Sequence, residues 1–200
     1  MDTSESSDDI KVLFLDIDGV LNHDAQREAR KRVPIEHRVE GDWIDPVCVA
    51  RVQAICDRTG AVIVLSSSWR EMVGFDRTLK VLRAKGLTAE VIGQTPTSVP
   101  AGKWLVVALT RWQEIQAWLE AHPEVIQYAV LDDDAEGTPE DVYVYTKFSE
   151  GITDAHVERA VDLLTTDPND CGCSMCCGTH VVVNCMGHQR PCDYCDCDLT

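Results

Sequence analysis

The chain has 200 residues, 44% of them hydrophobic and 26% charged, enough for one domain with a full core plus a small appendage. Thirty-four acids against 18 bases give a net charge of -16, which repels polyanions at long range and argues against a general nucleic-acid coat protein. The longest apolar run, "WLVVAL", has six residues, far short of the roughly 20 a spanning helix needs, so a soluble, cytoplasmic protein is expected.

The opening "MDTSESSDD" is acidic and polar with no apolar h-region, and residues 1–9 are expected to form a disordered tail. "KVLFLDID" is a continuous apolar run of strand length, the mark of a strand buried on both faces. "QREARKRVPIEHR" gathers Arg27, Arg30, Lys31, Arg32 and Arg38, either a solvated helix face or loop, or a cationic lip beside a phosphate site. "DPVCVARVQAICDRTG" has helical spacing, with Pro46 near its start and Gly60 at its end; Cys48 and Cys56 within it are expected to be inert core thiols. "AVIVLSSSW" is a second buried strand ending in small polar residues, "FDRTLKVLRAKG" a helix stopped by glycine, and "AEVIG" a short strand. "TPTSVPAGKWLVVALT" is an insertion with its own strand or helical turn. "RWQEIQAWLEAHP" is an amphipathic helix with Trp112, Ile115, Trp118 and Leu119 on one side. "VIQYAVLDDD" and "DVYVYT" are strands, and "GITDAHVERAVDLL" closes the domain as a helix.

Strands alternating with helices over residues 10–165 predict an α/β fold, a parallel sheet with helices on both faces. Ligands of such sheets bind outside the carboxyl ends of the strands. Three of those ends are polar here: "DID", "SSS" and "DDD". Asp16 and Asp18 are two apart, so on a strand their side chains would share a face, and Gly19 lets the chain turn and a ligand approach the backbone. Carboxylates held together repel unless a cation sits between them or one keeps its proton. Magnesium suits the first case and proton transfer the second, with Asp132 and Asp133 completing a hard-oxygen site while Asp134 is solvated.

"FLDIDGVLN", "VLSSSW", a basic residue opening a helix, and "VLDDD", in that order, resemble the haloacid dehalogenase (HAD) superfamily of phosphohydrolases. "DIDGVLN", "VLSSSWR", "GQTP", the "RWQEIQAWL" helix, "VLDDD" and "GIT" resemble more narrowly the HAD domain of Swiss Army Knife RNA repair proteins. The resemblance implies a HAD-like, Rossmann-like domain with Asp16 as nucleophile and Asp18 as proton donor and acceptor. Magnesium would bridge Asp16, the backbone carbonyl of Asp18, and Asp132 or Asp133. Ser66 would bind a phosphoryl oxygen, with Gly19, Ser67 and Arg70 as further substrate contacts, although Ser67 and Ser68 also suit a turn or a helix cap and Arg70 a solvated first turn. The cation that steadies the phosphoryl group is Arg111 by position, with Lys103 as its competitor. Forty-seven residues separate Asp18 from Ser66 and include a core helix, leaving room for a small cap or none.

Of ten cysteines, all but Cys48 and Cys56 fall between Cys171 and Cys197, after a linker expected at 166–170. Cys173-x2-Cys176 and Cys192-x2-Cys195, 15 residues apart, have the spacing of a structural zinc site in a zinc-ribbon-like segment over 171–200. Cys177, His180, Cys185 and His188 are a nested second set, and "THVVVN" is expected to be a ribbon strand. The function expected is a magnesium-dependent phosphatase acting on a nucleic-acid end, a 3′-phosphatase of repair. The alternatives are a small-molecule or nucleotide phosphatase and a non-catalytic zinc-tail adaptor. No GxxxxGK[ST] loop occurs, so a kinase or ligase step would need another chain.

Overall fold

The computed structural model describes residues 9–100, 106–166, 181–183 and 189–191. The chain divides into two compact units, Met1–Leu164 and Thr165–Thr200. In the first, β1 (Ile10–Leu15) is followed by α1 (Asp24–Lys31), a short 3-10 turn, α2 (Pro46–Thr59), β2 (Val62–Leu65) and, after a wide turn at Arg70–Gly74, α3 (Phe75–Ala84). Then come β3 (Val91–Gln94), β4 (Ser98–Pro100), β5 (Val106–Ala108), α4 (Arg111–Ala121), β6 (Val125–Asp132), β7 (Tyr143–Tyr145) and α5 (Asp154–Thr165).

Five of the strands form one sheet in the order β3-β2-β1-β6-β7, every pairing parallel. Val12 to Leu15 of the central β1 have no solvent exposure, as a strand covered on both faces requires. Alternation along it feeds two cores. Leu13 and Leu15, with Ile63 and Leu65, pack on α2, α3 and α5; Val12 and Phe14, with Val64 and Val130, pack on Ile115 and Trp118 of α4. Phe14 meets Trp118 edge-on, ring centroids 5.4 Å apart. This α/β sandwich is the HAD-like arrangement expected.

Helix ends follow their chemistry. Asp45 caps α2 by accepting from the Val47 amide, Pro46 takes the first turn, and Gly60 ends the helix in the left-handed region. Thr110 and Gln113 form a reciprocal capping box on α4. Cys48 and Cys56 are buried within α2, and burial pushes their thiols up to about 11 and about 12, which makes them poor nucleophiles.

The insertion after β3 is a two-stranded antiparallel ribbon, β4 with β5. The other addition, α1, buries none of its residues and stands between β1 and α2 as the small cap. Its base is tied to the core by His23, 2.9 Å from Asp45, and by the Asp24 amide donating to the Phe148 carbonyl. The second unit contributes one antiparallel pair, β8 (Val181–Val183) with β9 (Gln189–Pro191), so the ribbon strand expected at "THVVVN" is present. Lys103, Cys173, Cys176, Cys177, His180, Cys185, His188, Cys192 and Cys195 lie outside the described residues. Among the described residues no helix is long and apolar enough to cross a membrane.

Candidate active site

Backbone pairing carries β1, β2 and β6 to one edge: the Asp16 amide donates to Leu131, the Ser66 amide to Leu15, and the Thr146 amide to Asp132. Their next residues therefore face one another. Carboxylate oxygens of Asp16, Asp132 and Asp133 all lie within 4.8 Å of each other, Asp16 and Asp132 buried and Asp133 half-buried. Gly19 makes this approach possible. Its φ is +72°, and a Cβ there would stand 2.1 Å from Asp133 Oδ2. The buried Thr146 hydroxyl holds the turn by donating to the Gly19 carbonyl at 3.0 Å.

Asp18 is placed differently from Asp16. The strand ends at Leu15, so the alternation that would put both on one face does not extend to Asp18. Its carboxylate accepts from Trp69 Nε1 at 2.9 Å and from Asn22 Nδ2 at 2.6 Å, while Asn22 Oδ1 accepts from the Gly19 amide. These bonds fix Asp18 at the rim of the acidic cluster, near enough for its charge to raise the Asp133 pKa.

Electrostatics reflect the crowding. Burial, and then the neighbouring Asp132, push Asp16 up to about 8, against the Arg111 charge and the Ser67 hydroxyl that bonds it. Burial and Asp132 likewise push Asp133 to about 6, and burial raises Asp132. The Asp134 side chain is exposed, as expected, and its amide donates to Asp132.

Arg111, first residue of α4, reaches in from the side. Nε donates to Asp132 at 3.0 Å, one terminal nitrogen donates to Glu114 at 2.9 Å, and the other is 3.7 Å from Asp16. Burial opposes its charge, yet Asp132, Asp16 and Glu114 together hold its pKa above the ordinary value. Ser66 and Ser67 are buried, with Thr95 Oγ1 3.5 Å from Ser66 Oγ. Arg70 is buried, not solvated. The wide turn after Trp69 directs it inward, where it pairs with Glu114 at 2.6 Å and donates to the Ser67 carbonyl. Arg70 and Arg111 thus share one buried carboxylate, and Arg70 acts by fixing Glu114.

Sequence reasoning missed Asn22, Trp69, Glu114 and Thr146. Asn22 and Trp69 lie within the quoted motifs "DIDGVLN" and "VLSSSWR", and Glu114 is an acid three residues after Arg111 on one helix. Beside Asp18 opens a cleft of about 520 Å³, lined also by Arg27, Arg30 and Lys31 of α1 and by Trp43, Trp69 and Phe148. Three cations of the basic stretch therefore border this cleft; Arg38 instead donates to the carbonyls of Val33 and Lys31.

A family described as the HAD domain in Swiss Army Knife RNA repair proteins matches residues 12–157, well over half of the chain. No curated protein and no solved structure matches it.

Proposed function

Since the chain belongs to the family of HAD domains found in Swiss Army Knife RNA repair proteins, we propose that it is a magnesium-dependent phosphatase that works through an aspartyl-phosphate and removes the 3′-phosphate of a polynucleotide end. The observation that carries this reading is the meeting of Asp16, Asp132 and Asp133 at the ends of adjacent strands. An all-oxygen set of this kind fits a hard divalent cation, which offsets the burial and the mutual repulsion that raise these carboxyls. Held by Asp16, Asp132, Asp133 and the carbonyl of Asp18, magnesium would neutralise charge between carboxylate and phosphate.

Asp16 attacks phosphorus as the bond from phosphorus to the leaving oxygen breaks, and Asp18 gives that oxygen its proton. Water then attacks the aspartyl-phosphate and passes a proton to Asp18; the bond from phosphorus to Asp16 breaks and inorganic phosphate leaves. Arg111, braced by Asp132 and Glu114, supplies the positive charge beside Asp16. Ser66 offers a hydroxyl to a phosphoryl oxygen, and Ser67 orients Asp16.

Phosphate release from 3′-phosphorylated oligonucleotides and from nucleoside monophosphates, with magnesium and with chelator, tests the reading. Chelator-sensitive release with preference for the oligonucleotide is expected, and Asp16→Asn abolishes it. Preference for monomers would make the protein a nucleotide phosphatase, and unchanged release by Asp16→Asn would remove the catalytic assignment. Cys173, Cys176, Cys192 and Cys195 are proposed as a structural zinc site, which metal analysis of the purified chain would check. Kinase or ligase steps of end repair would fall to a separate partner.

A further inference from the structure

Asp18 belongs both to the acidic cluster's rim and to the wall of the adjoining cleft. If Asp18 protonates the leaving oxygen, whatever fills that cleft is the group attached to that oxygen. The cleft therefore reports on the substrate's identity beyond its phosphate, and the inference rests on the phosphatase reading above.

Its walls are flat and cationic. The Arg30 guanidinium lies 5.1 Å from the Trp43 ring centroid, and the Arg27 guanidinium 5.3 Å from that of Phe148. Trp43 in turn meets Trp69 at a steep angle, centroids 5.8 Å apart. Asp42 bonds Arg30 Nε, fixing that guanidinium beside Trp43. Among the described residues the ion-pair partners of Arg27 and Lys31 are exposed acids of their own helix, Asp24 at 3.9 Å and Glu28, so both cations can turn to an anion. A volume of about 520 Å³ falls within the roughly 300–1,000 Å³ of small-ligand sites.

We propose that this cleft seats the terminal nucleotide of a single-stranded polynucleotide, its base stacked on the Trp43 and Arg30 side and its next phosphate on Arg27 and Lys31. Stacking on a protein ring needs an unpaired base, so the cleft selects single strands over duplex ends. A phosphoserine or phosphothreonine leaving group would offer the cleft no flat ring to stack. The chain's net charge of -16 is consistent with a short cationic seat for one strand end in place of a broad binding surface.

The test compares kcat/KM for a six-nucleotide single strand ending in a 3′-phosphate with that for acetyl phosphate, whose leaving group is too small to fill the cleft. RNA and DNA versions, a blunt duplex and a phosphoserine peptide complete the substrates. In Trp43→Leu the oligonucleotide-to-acetyl-phosphate ratio should fall about 5- to 150-fold, the loss of one stacked base. Arg27→Ala with Lys31→Ala, on a helix that buries no residue, should lower the same ratio and flatten its salt dependence by about 0.7 per lost phosphate contact. Ratios within twofold of wild type for both variants, or a duplex or phosphopeptide preferred over the single strand, overturn the proposal while leaving the phosphatase reading intact. Absence of turnover on every substrate would instead strike at that reading. The cleft is then judged by anisotropy of the labelled strand on Asp16→Asn: binding that the Arg27/Lys31 changes weaken supports it, and binding they leave unaltered, or none, overturns it.

Discussion

Gly19→Ala separates the cost of folding from the cost of losing the cation site. At φ +72° an L side chain costs about 1–2 kcal/mol. The added Cβ would stand 2.1 Å from Asp133 Oδ2, 2.2 Å from its Cγ and 2.6 Å from its Cβ, where ordinary contact begins at 3.4 Å. Turning the Asp133 carboxyl out of the cluster relieves the first two contacts, but the contact with its Cβ persists, so the backbone at Gly19 or Asp133 must shift as well. The strain alone should lower Tm by about 2–8 °C for a domain of this size. Loss of one of three carboxylates should raise the magnesium needed for half-maximal phosphate release by at least about 10- to 100-fold, the range seen even for outer-sphere partners of metals. Thermal melts with and without magnesium, alongside a magnesium titration of turnover, read the two costs separately. A variant with wild-type melting and an unchanged magnesium requirement would refute the placement of Asp133 against Gly19.

Glu114→Gln leaves Arg70 and Arg111 without their shared carboxylate, in a site where the Arg70 and Glu114 side chains are 3% and 8% exposed. Breaking a buried pair costs about 3–5 kcal/mol, a Tm drop of about 6–20 °C, and a melt within 2 °C of wild type would contradict the pairing. Thr146→Val removes the donor to the Gly19 carbonyl and should cost about 1–3 kcal/mol in denaturant unfolding. In the metal-free protein Asp16 binds its proton more tightly folded, with a pKa of about 8, than unfolded, near 3.8, so the folded form holds the extra proton between those values. Stability of the chelated protein should therefore fall as pH rises from about 4 to about 8, while the magnesium-induced rise in Tm grows over the same window; a flat chelated profile would count against the burial of Asp16.

Fold class was legible because Val12 to Leu15 of β1 are apolar without interruption and α2 carries its own stop signal in Gly60. The convergence of "DID", "SSS" and "DDD" followed from strand polarity alone, and Asp16, Ser66 and Asp132 do stand at one edge. Asp18 was misjudged in orientation because pairing with β2 and β6 stops one residue before the turn, and period-two alternation lapses with it. The buried pairing of Arg70 with Glu114 was not legible, for a different reason. An arginine at a helix start is ordinarily solvated, and only the wide turn after Trp69, together with an acid from α4, makes its burial tolerable. Trp69 closes the quoted "VLSSSW" motif, but its bond to Asp18, like that of Thr146 to Gly19, spans too much chain, 51 and 127 positions, to be read from spacing.

The cap helix α1 lies between two core elements and sinks none of its side chains into either core. Under the proposed function, what the site accepts is read largely by side chains whose loss leaves the packing of both cores untouched. Gln26 and Arg30 are the exceptions, since both bond Asp42. The exposed positions of residues 24–31 are therefore where an engineer seeking a new leaving group should begin.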